Sequence, residues 1–112
     1  MIQIDSSFNI RMTRGDTFIR TLSFKKNGEP FTPNPNDKIR FAMSKGFLGQ
    51  SSYNLILVKE IPIDTLVWRL DPKDTRNLPY GKYNYDVEIT YVDGSVETFL
   101  NKKTIELTEE VK

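Results

Sequence analysis

Hydrophobic and polar side chains alternate with period two along most of the printed sequence. The clearest run is YNYDVEITY (83–91), where every second residue is aromatic or branched aliphatic and the residues between are polar. Strict alternation of this kind is typical of antiparallel strands that bury one face and expose the other. The same pattern recurs in TFIRTLSF (17–24, with Arg20 as an exception), DKIRFAMS (37–44), TLVWRL (65–70) and KTIELT (103–108).

Turn signals separate these segments. Asp93-Gly94 and Asn27-Gly28 are each predicted to form a two-residue hairpin loop, because a type I′ turn needs positive φ at both central residues. The prolines between residues 30 and 35 are expected to prevent regular structure until the strand that starts near Asp37.

The pattern predicts an all-β chain. The one exception is a single helical turn in DPKDTRNLP (71–79), with Asp71 as N-cap and Pro72 at the first helical position. About seven strands of ordinary length separated by turns predict one antiparallel β-sandwich domain over residues 1–112. An immunoglobulin-like arrangement is favoured over a closed barrel.

Composition narrows the function classes. The 112 residues include no cysteine and no histidine, which excludes disulfides, thiolate metal sites and Ser–His–Asp, Cys–His or zinc-hydrolase chemistry by this chain alone. Lys plus Arg number 16 and Asp plus Glu number 15, with the signs mixed, so we expect no nucleic acid and no membrane as partner. The N-terminus lacks signal-peptide features, and LILV (55–58) is too short for a membrane span.

The acidic stretch from residue 71 to residue 86 allows two interpretations. Asp71, Asp74 and Asp86 could form a carboxylate cluster for Ca²⁺, or a pair that hydrolyses a glycosidic bond. The spacing does not match a calcium loop, however, and Asp86 falls on the outward face of a strand. The favoured interpretation is a structural corner, in which Asp71 caps the helical turn and Asp74 bonds the local backbone. We therefore expect no catalytic residue, no cofactor and no metal ion.

Two further features bear on surface recognition. Arg14-Gly15-Asp16 matches a cell-adhesion tripeptide, but three-residue matches are common, and its glycine is predicted to serve a turn or bulge. Trp68 and the tyrosines of the 83–91 strand are predicted to lie in the core, which leaves Tyr53 and Tyr80 as loop aromatics that could stack on a sugar. The alternative function is therefore a small carbohydrate-binding or adhesion module that recognises cell-surface polysaccharide.

Several segments resemble small proteins of tail and baseplate modules in phages and prophages of Gram-positive bacteria. They are RGDTF, NGEPF, DKIRFAM and DPKDTRNLPYGKYNYDVEITYVDGSVETF, in this order. The sequence is similar to the N-terminal domain of the phage baseplate upper protein over roughly residues 11–108, most specifically from Asp71 to Gly94. The resemblance implies an immunoglobulin-like β-sandwich that acts as a non-enzymatic structural and docking unit.

The same resemblance implies location and partners. The protein is expected to be made in the bacterial host cytoplasm and to reside in the virion, at the tail or baseplate. Its expected partners are other tail or baseplate proteins, and a homo-oligomer is possible. Baseplate upper proteins continue beyond this domain into segments that form a trimer and hold the receptor-binding protein. The resemblance therefore does not extend to that attachment role.

Two features are expected to make protein contacts. An edge strand with unpaired backbone groups can add to the sheet of a partner. The segment KGFLGQSSYN (45–54) places Phe47, Leu48 and Tyr53 in a Gly- and Ser-rich loop, and apolar loop tips commonly mark interaction sites. Alternatively, Phe47 and Leu48 fold back and close one end of the sandwich.

Overall fold

The computed structural model describes residues 2–45 and 54–109. This part of the chain is mostly β-strand with one short helix, so the all-β prediction is confirmed. The elements are β1 (Ile2–Ile4), β2 (Ile10–Thr13), β3 (Phe18–Thr21), β4 (Phe24–Lys26), β5 (Glu29–Phe31), β6 (Lys38–Lys45), β7 (Asn54–Ile61), β8 (Val67–Leu70), α1 (Pro72–Thr75), β9 (Gly81–Thr90) and β10 (Val96–Thr108). The described strands exceed the predicted seven because β1 and β5 have only three residues each, too few for alternation to be visible, and because the predicted strand 17–24 divides between β3 and β4.

Six strands form one sheet in the order β1-β2-β10-β9-β6-β7, and the pairs β3–β8 and β4–β5 form two small sheets. Among the described residues, all strand pairs are antiparallel except β2 and β10, which run parallel. The sheet is therefore mixed, and the prediction of a purely antiparallel arrangement is wrong at this pair. Side chains alternate between the two faces whichever way a neighbouring strand runs, so the pattern carried no signal of direction.

The core lies against one face of the large sheet, as the alternation predicted. The buried residues of β9 are Tyr83, Tyr85, Val87 and Ile89. Trp68 of β8 is buried among three rings, with centroid distances of 4.8 Å to Phe18, 5.2 Å to Phe41 and 5.3 Å to Tyr85. These aromatic contacts pack the β3–β8 pair over β6 and β9, and they confirm the core position predicted for Trp68.

The segment 17–24 is two strands and not one. After β3 the chain turns away, with the Leu22 N–H donating to the Leu66 carbonyl at 2.8 Å, and from Phe24 it pairs with β5 instead. Pro30 lies within β5, opposite Lys25, so the expectation that the prolines exclude regular structure is wrong there. A two-stranded sheet tolerates proline because the nitrogen without a hydrogen can face away from the partner strand.

The two predicted hairpin loops differ. Asn27 and Gly28 have φ of 51° and 79°, which confirms the type I′ turn between β4 and β5. At Asp93-Gly94 only Gly94 has positive φ, at 89°, so the type I′ prediction is wrong. The Gly94 N–H donates to the Tyr91 carbonyl at 2.9 Å, giving a longer loop whose last residue is left-handed. Asp93 Oδ1 accepts the Ser95 N–H at 2.9 Å and supports this longer form.

Candidate functional site

The acidic stretch forms a structural corner between β8 and β9. Asp71 is the N-cap of α1, Pro72 is its first residue, and the Asp71 N–H donates to Asp74 Oδ2 at 2.7 Å. The buried Thr75 accepts the Gly15 N–H on Oγ1 at 2.9 Å, which ties the corner to the turn after β2. The favoured interpretation of this stretch, a corner bonded to its own backbone, agrees with this geometry.

Basic side chains neutralise two of the three predicted carboxylates. Lys59 Nζ lies 2.7 Å from Asp74 Oδ2 and 3.3 Å from Asp71 Oδ2, and Arg69 Nε lies 2.6 Å from Asp71 Oδ1. The hydrogen bond from Arg69, then that from Lys59, holds the pKa of Asp71 below its ordinary value. Burial opposes the charge of Lys59, but the bonds to Asp74 and Asp71 outweigh it and raise the pKa of the ammonium.

Asp86 lies apart from this pair, since its Oδ1 accepts the Lys102 N–H at 2.7 Å beside β9. The structure therefore does not bring the three carboxylates together. Within residues 2–45 and 54–109, no group of three acidic side chains is arranged to hold a metal ion.

The Arg14-Gly15-Asp16 tripeptide packs onto the same corner. Arg14 donates to the Leu78 carbonyl at 3.1 Å and to the Tyr80 hydroxyl at 3.0 Å, and its guanidinium lies 4.1 Å from the centre of the Tyr80 ring. Gly15 has φ of 86°, as a turn glycine requires. Arg14 thus bonds to groups of its own chain. Its guanidinium also covers one face of the ring of Tyr80, a residue predicted to stack on a sugar.

The strand β7 forms one edge of the six-stranded sheet. Among the described residues its only strand partner is β6, so the backbone groups on its other side have no strand to pair with. Leu55 and Val58 on this strand are 45% and 44% exposed. Exposed apolar edge strands are prone to pair with strands of another chain.

The other sheet edges that the structure describes carry features that discourage pairing. They are all short: β1, β4 and β5 have three residues each, β3 and β8 have four each, and β5 also contains Pro30. Short edges and proline are recognised means of preventing edge-to-edge association. β7 therefore stands out as the edge most suited to a partner.

The inner and outer sides of β7 are distinct. Register shifts where Met43 pairs with Leu57 and Ser44 pairs with Leu55, which places a bulge at Ile56. On the C-terminal side of this bulge, Lys59 lies on the core face of the sheet, where it pairs with Phe41, and Val58 lies on the solvent face. Edge lysines commonly block pairing by projecting charge, but this Nζ is held by Asp74 and Asp71.

A second candidate site is a groove of about 630 Å³ between the β4–β5 and β9–β10 hairpins. Lys26 Nζ lies 4.6 Å and 4.5 Å from the ring centres of Phe31 and Tyr91, and 3.2 Å from Glu97 Oε1. Asp93 and Ser95 contribute polar atoms to the lining. Aromatic rings beside convergent polar groups are typical of small-ligand sites.

The predicted protein-contact residues Phe47, Leu48 and Tyr53 lie outside the described residues. Neither the β7 edge nor the groove was predicted from the sequence as a specific site. The signal for the edge was the run LILV (55–58), which is uniformly apolar where the other strands alternate. The groove had no such signal, because it joins residues from distant parts of the chain.

Comparison with known proteins found no family model, no curated protein and no solved structure that matches the chain. In the described residues, no helix has the length and apolar character needed to cross a membrane.

Proposed function

We propose that this protein is a non-enzymatic structural and docking component of a phage or prophage tail baseplate, and that it docks through the free edge of β7. The single observation that carries the proposal is that edge: an eight-residue strand with one described neighbour and two exposed apolar side chains, Leu55 and Val58. A partner strand added there would satisfy the open backbone groups and cover both side chains.

The baseplate assignment rests on the resemblance of the segments from RGDTF to the stretch 71–99. The immunoglobulin-like sandwich is part of the same proposal, with the six-stranded sheet as one layer and the β3–β8 and β4–β5 pairs as the other. Packing of Trp68 against Phe41 and Tyr85 supports two layers. In a symmetric particle one modest contact is repeated many times, so a single strand edge can suffice.

The test is incorporation into particles. Phage-like particles are purified after inducing the strain that carries the gene, and mass spectrometry measures the copy number of this chain relative to the major tail protein. We expect a small fixed ratio for the natural chain and loss of the chain from particles for Val58→Lys. Val92→Lys, at a 63% exposed residue away from β7, is the matched control and should be incorporated normally. Absence of the natural chain while other tail proteins are detected would refute the virion role. Normal incorporation of Val58→Lys would refute docking through β7.

A carbohydrate-binding module is the second candidate, and the groove beside Phe31 and Tyr91 is the observation that favours it. A sugar ring would have to displace Lys26 from the two aromatic rings, after which Asp93 and Ser95 could bond its hydroxyls. Saturable binding of purified cell-wall polysaccharide by the isolated protein, lost in Tyr91→Ala and retained in Tyr80→Ala, would support this function. No binding by the natural protein would remove it.

A further inference from the structure

We infer that the occupant of the β7 edge is a second copy of this chain. The two copies would be related by a two-fold axis that passes midway between Val58 of one copy and Val58 of the other. This inference deepens the proposed docking function and rests on it. The two edges would join as antiparallel strands, and the two six-stranded sheets would become one continuous sheet of twelve.

The first step is the symmetry of such a pair. A two-fold axis normal to the sheet keeps inner faces with inner faces, so it must place one residue of β7 opposite the same residue of the second copy. An axis at Glu60 would oppose two carboxylates, which is unfavourable in directly facing pairs, and an axis at Lys59 would set the apolar Val58 against the carboxylate of Glu60. An axis at Leu57 would set Val58 against the bulge at Ile56, where the register of β7 is broken.

An axis at Val58 opposes no like charges, and it moves the bulge at Ile56 two residues away from the axis, opposite Glu60 of the second copy. Val58, 44% exposed on the outer face, would lie against Val58 of the second copy. On the inner face, Leu57 would lie against the aliphatic part of Lys59 from the second copy, a contact that long basic side chains make readily. Glu60 is exposed and can extend to solvent beside the bulge of the second copy.

The second step concerns Lys59, whose charge would otherwise discourage strand pairing at this edge. Its ammonium is drawn toward the corner of its own chain, 2.7 Å from Asp74 and 3.3 Å from Asp71, and its side chain is only 25% exposed. The positive charge therefore points away from the strand that would arrive. The edge presents an apolar, self-complementary surface, which matches a second copy better than a charged partner.

The test uses the absence of cysteine from the chain. Residues directly opposite in antiparallel strands have Cα atoms about 4.5–5.5 Å apart, within the range that a disulfide spans. Val58→Cys is incubated with oxidised glutathione, so that two thiols form one disulfide while glutathione disulfide is reduced to two glutathione thiols. We expect covalent dimers from Val58→Cys and almost none from Val92→Cys, the control at an exposed residue off the edge.

Sedimentation of the cysteine-free protein over a range of concentrations provides the second measurement. We expect a dimer fraction that rises with concentration for the natural chain and a monomer throughout for Val58→Lys. A natural chain that stays monomeric, or a dimer unaffected by Val58→Lys, would overturn the inference. If the chain is monomeric while Val58→Lys is still lost from particles, the docking function stands and only the second-copy assignment fails. If the dimer forms but Val58→Lys enters particles normally, the docking function fails instead.

Discussion

Replacing Asp74 with asparagine removes one negative charge at nearly constant volume and tests the corner directly. The carboxylate is 10% exposed, and its Oδ2 accepts from Lys59 Nζ and from the Asp71 N–H, both at 2.7 Å. The amide oxygen of asparagine can still accept the Asp71 N–H, so the loss falls mainly on the bond to Lys59.

The magnitude follows from those two contacts. A hydrogen bond to a charged group contributes about 1.5–3 kcal/mol, and Lys59 keeps Asp71 at 3.3 Å, so the lower part of that range applies. We expect Asp74→Asn to lower the free energy of unfolding by about 2 kcal/mol, and Asp74→Ala by about 3 kcal/mol because the helix cap is lost as well. For a domain of this size, 2 kcal/mol corresponds to a fall in Tm of roughly 8 °C.

The assay is urea unfolding followed by the fluorescence of Trp68, the only tryptophan, which is 2% exposed. Asp64→Asn, the same substitution at an exposed turn residue, is the control and should stay within about 0.5 kcal/mol of the natural protein. A double-mutant cycle with Lys59→Met isolates the pair, with an expected coupling of about 1–2 kcal/mol. Stability of Asp74→Asn equal to that of the control, or a coupling near zero, would refute the reasoning.

Two further predictions concern a turn and the response to acid. Gly28→Ala should lower the free energy of unfolding, measured with urea, by about 1 kcal/mol, because φ of 79° is unfavourable for a residue with Cβ even though the space there is open. An unchanged free energy of unfolding would contradict the type I′ turn. Stability should stay nearly constant from about pH 5 to 7, since the chain has no histidine, and fall below about pH 4. The pKa of Asp71 is lowered by Arg69 and Lys59, so its contribution to the free energy of unfolding is present above the ordinary aspartate pKa and is lost as pH falls through the folded value. Thermal unfolding at a series of pH values checks this, and Asp71→Asn should weaken the fall in stability at acid pH.

Local features of the fold were predictable where neighbouring residues decide them. The alternation in 83–91 identifies β9, Asn27-Gly28 identifies a hairpin, and Asp71-Pro72 identifies the start of a helix, because each depends only on side chains within a few positions. The parallel pairing of β2 with β10 was not predictable, since it is decided by which strands meet after the chain has crossed the fold.

The candidate sites were less predictable for the same reason. A strand is an edge only by virtue of the whole sheet order, so LILV could be recognised as apolar but not as the free side of β7. The groove depends on Lys26 meeting Tyr91 and Glu97, which lie on a different hairpin far along the chain. The orientation of Lys59 toward Asp74 is likewise set by packing of β7 beside the corner.

That orientation links the stability of the corner to the properties of the edge, and the two can be separated by experiment. Asp74→Asn and Lys59→Met both remove the same ion pair, so both should destabilise the fold. Their effects on the edge should be opposite: Asp74→Asn leaves the Lys59 ammonium held by Asp71 alone, at 3.3 Å, and so weakens the contacts that keep the charge away from the free side of β7, whereas Lys59→Met removes the charge and leaves that side apolar. In the Val58→Cys background, we expect the rate of disulfide dimer formation to fall in the first variant and to be maintained or to rise in the second. Equal changes of this rate in both variants would show that cross-linking follows stability alone. The argument that Asp71 and Asp74 hold the Lys59 charge away from the edge would then be wrong.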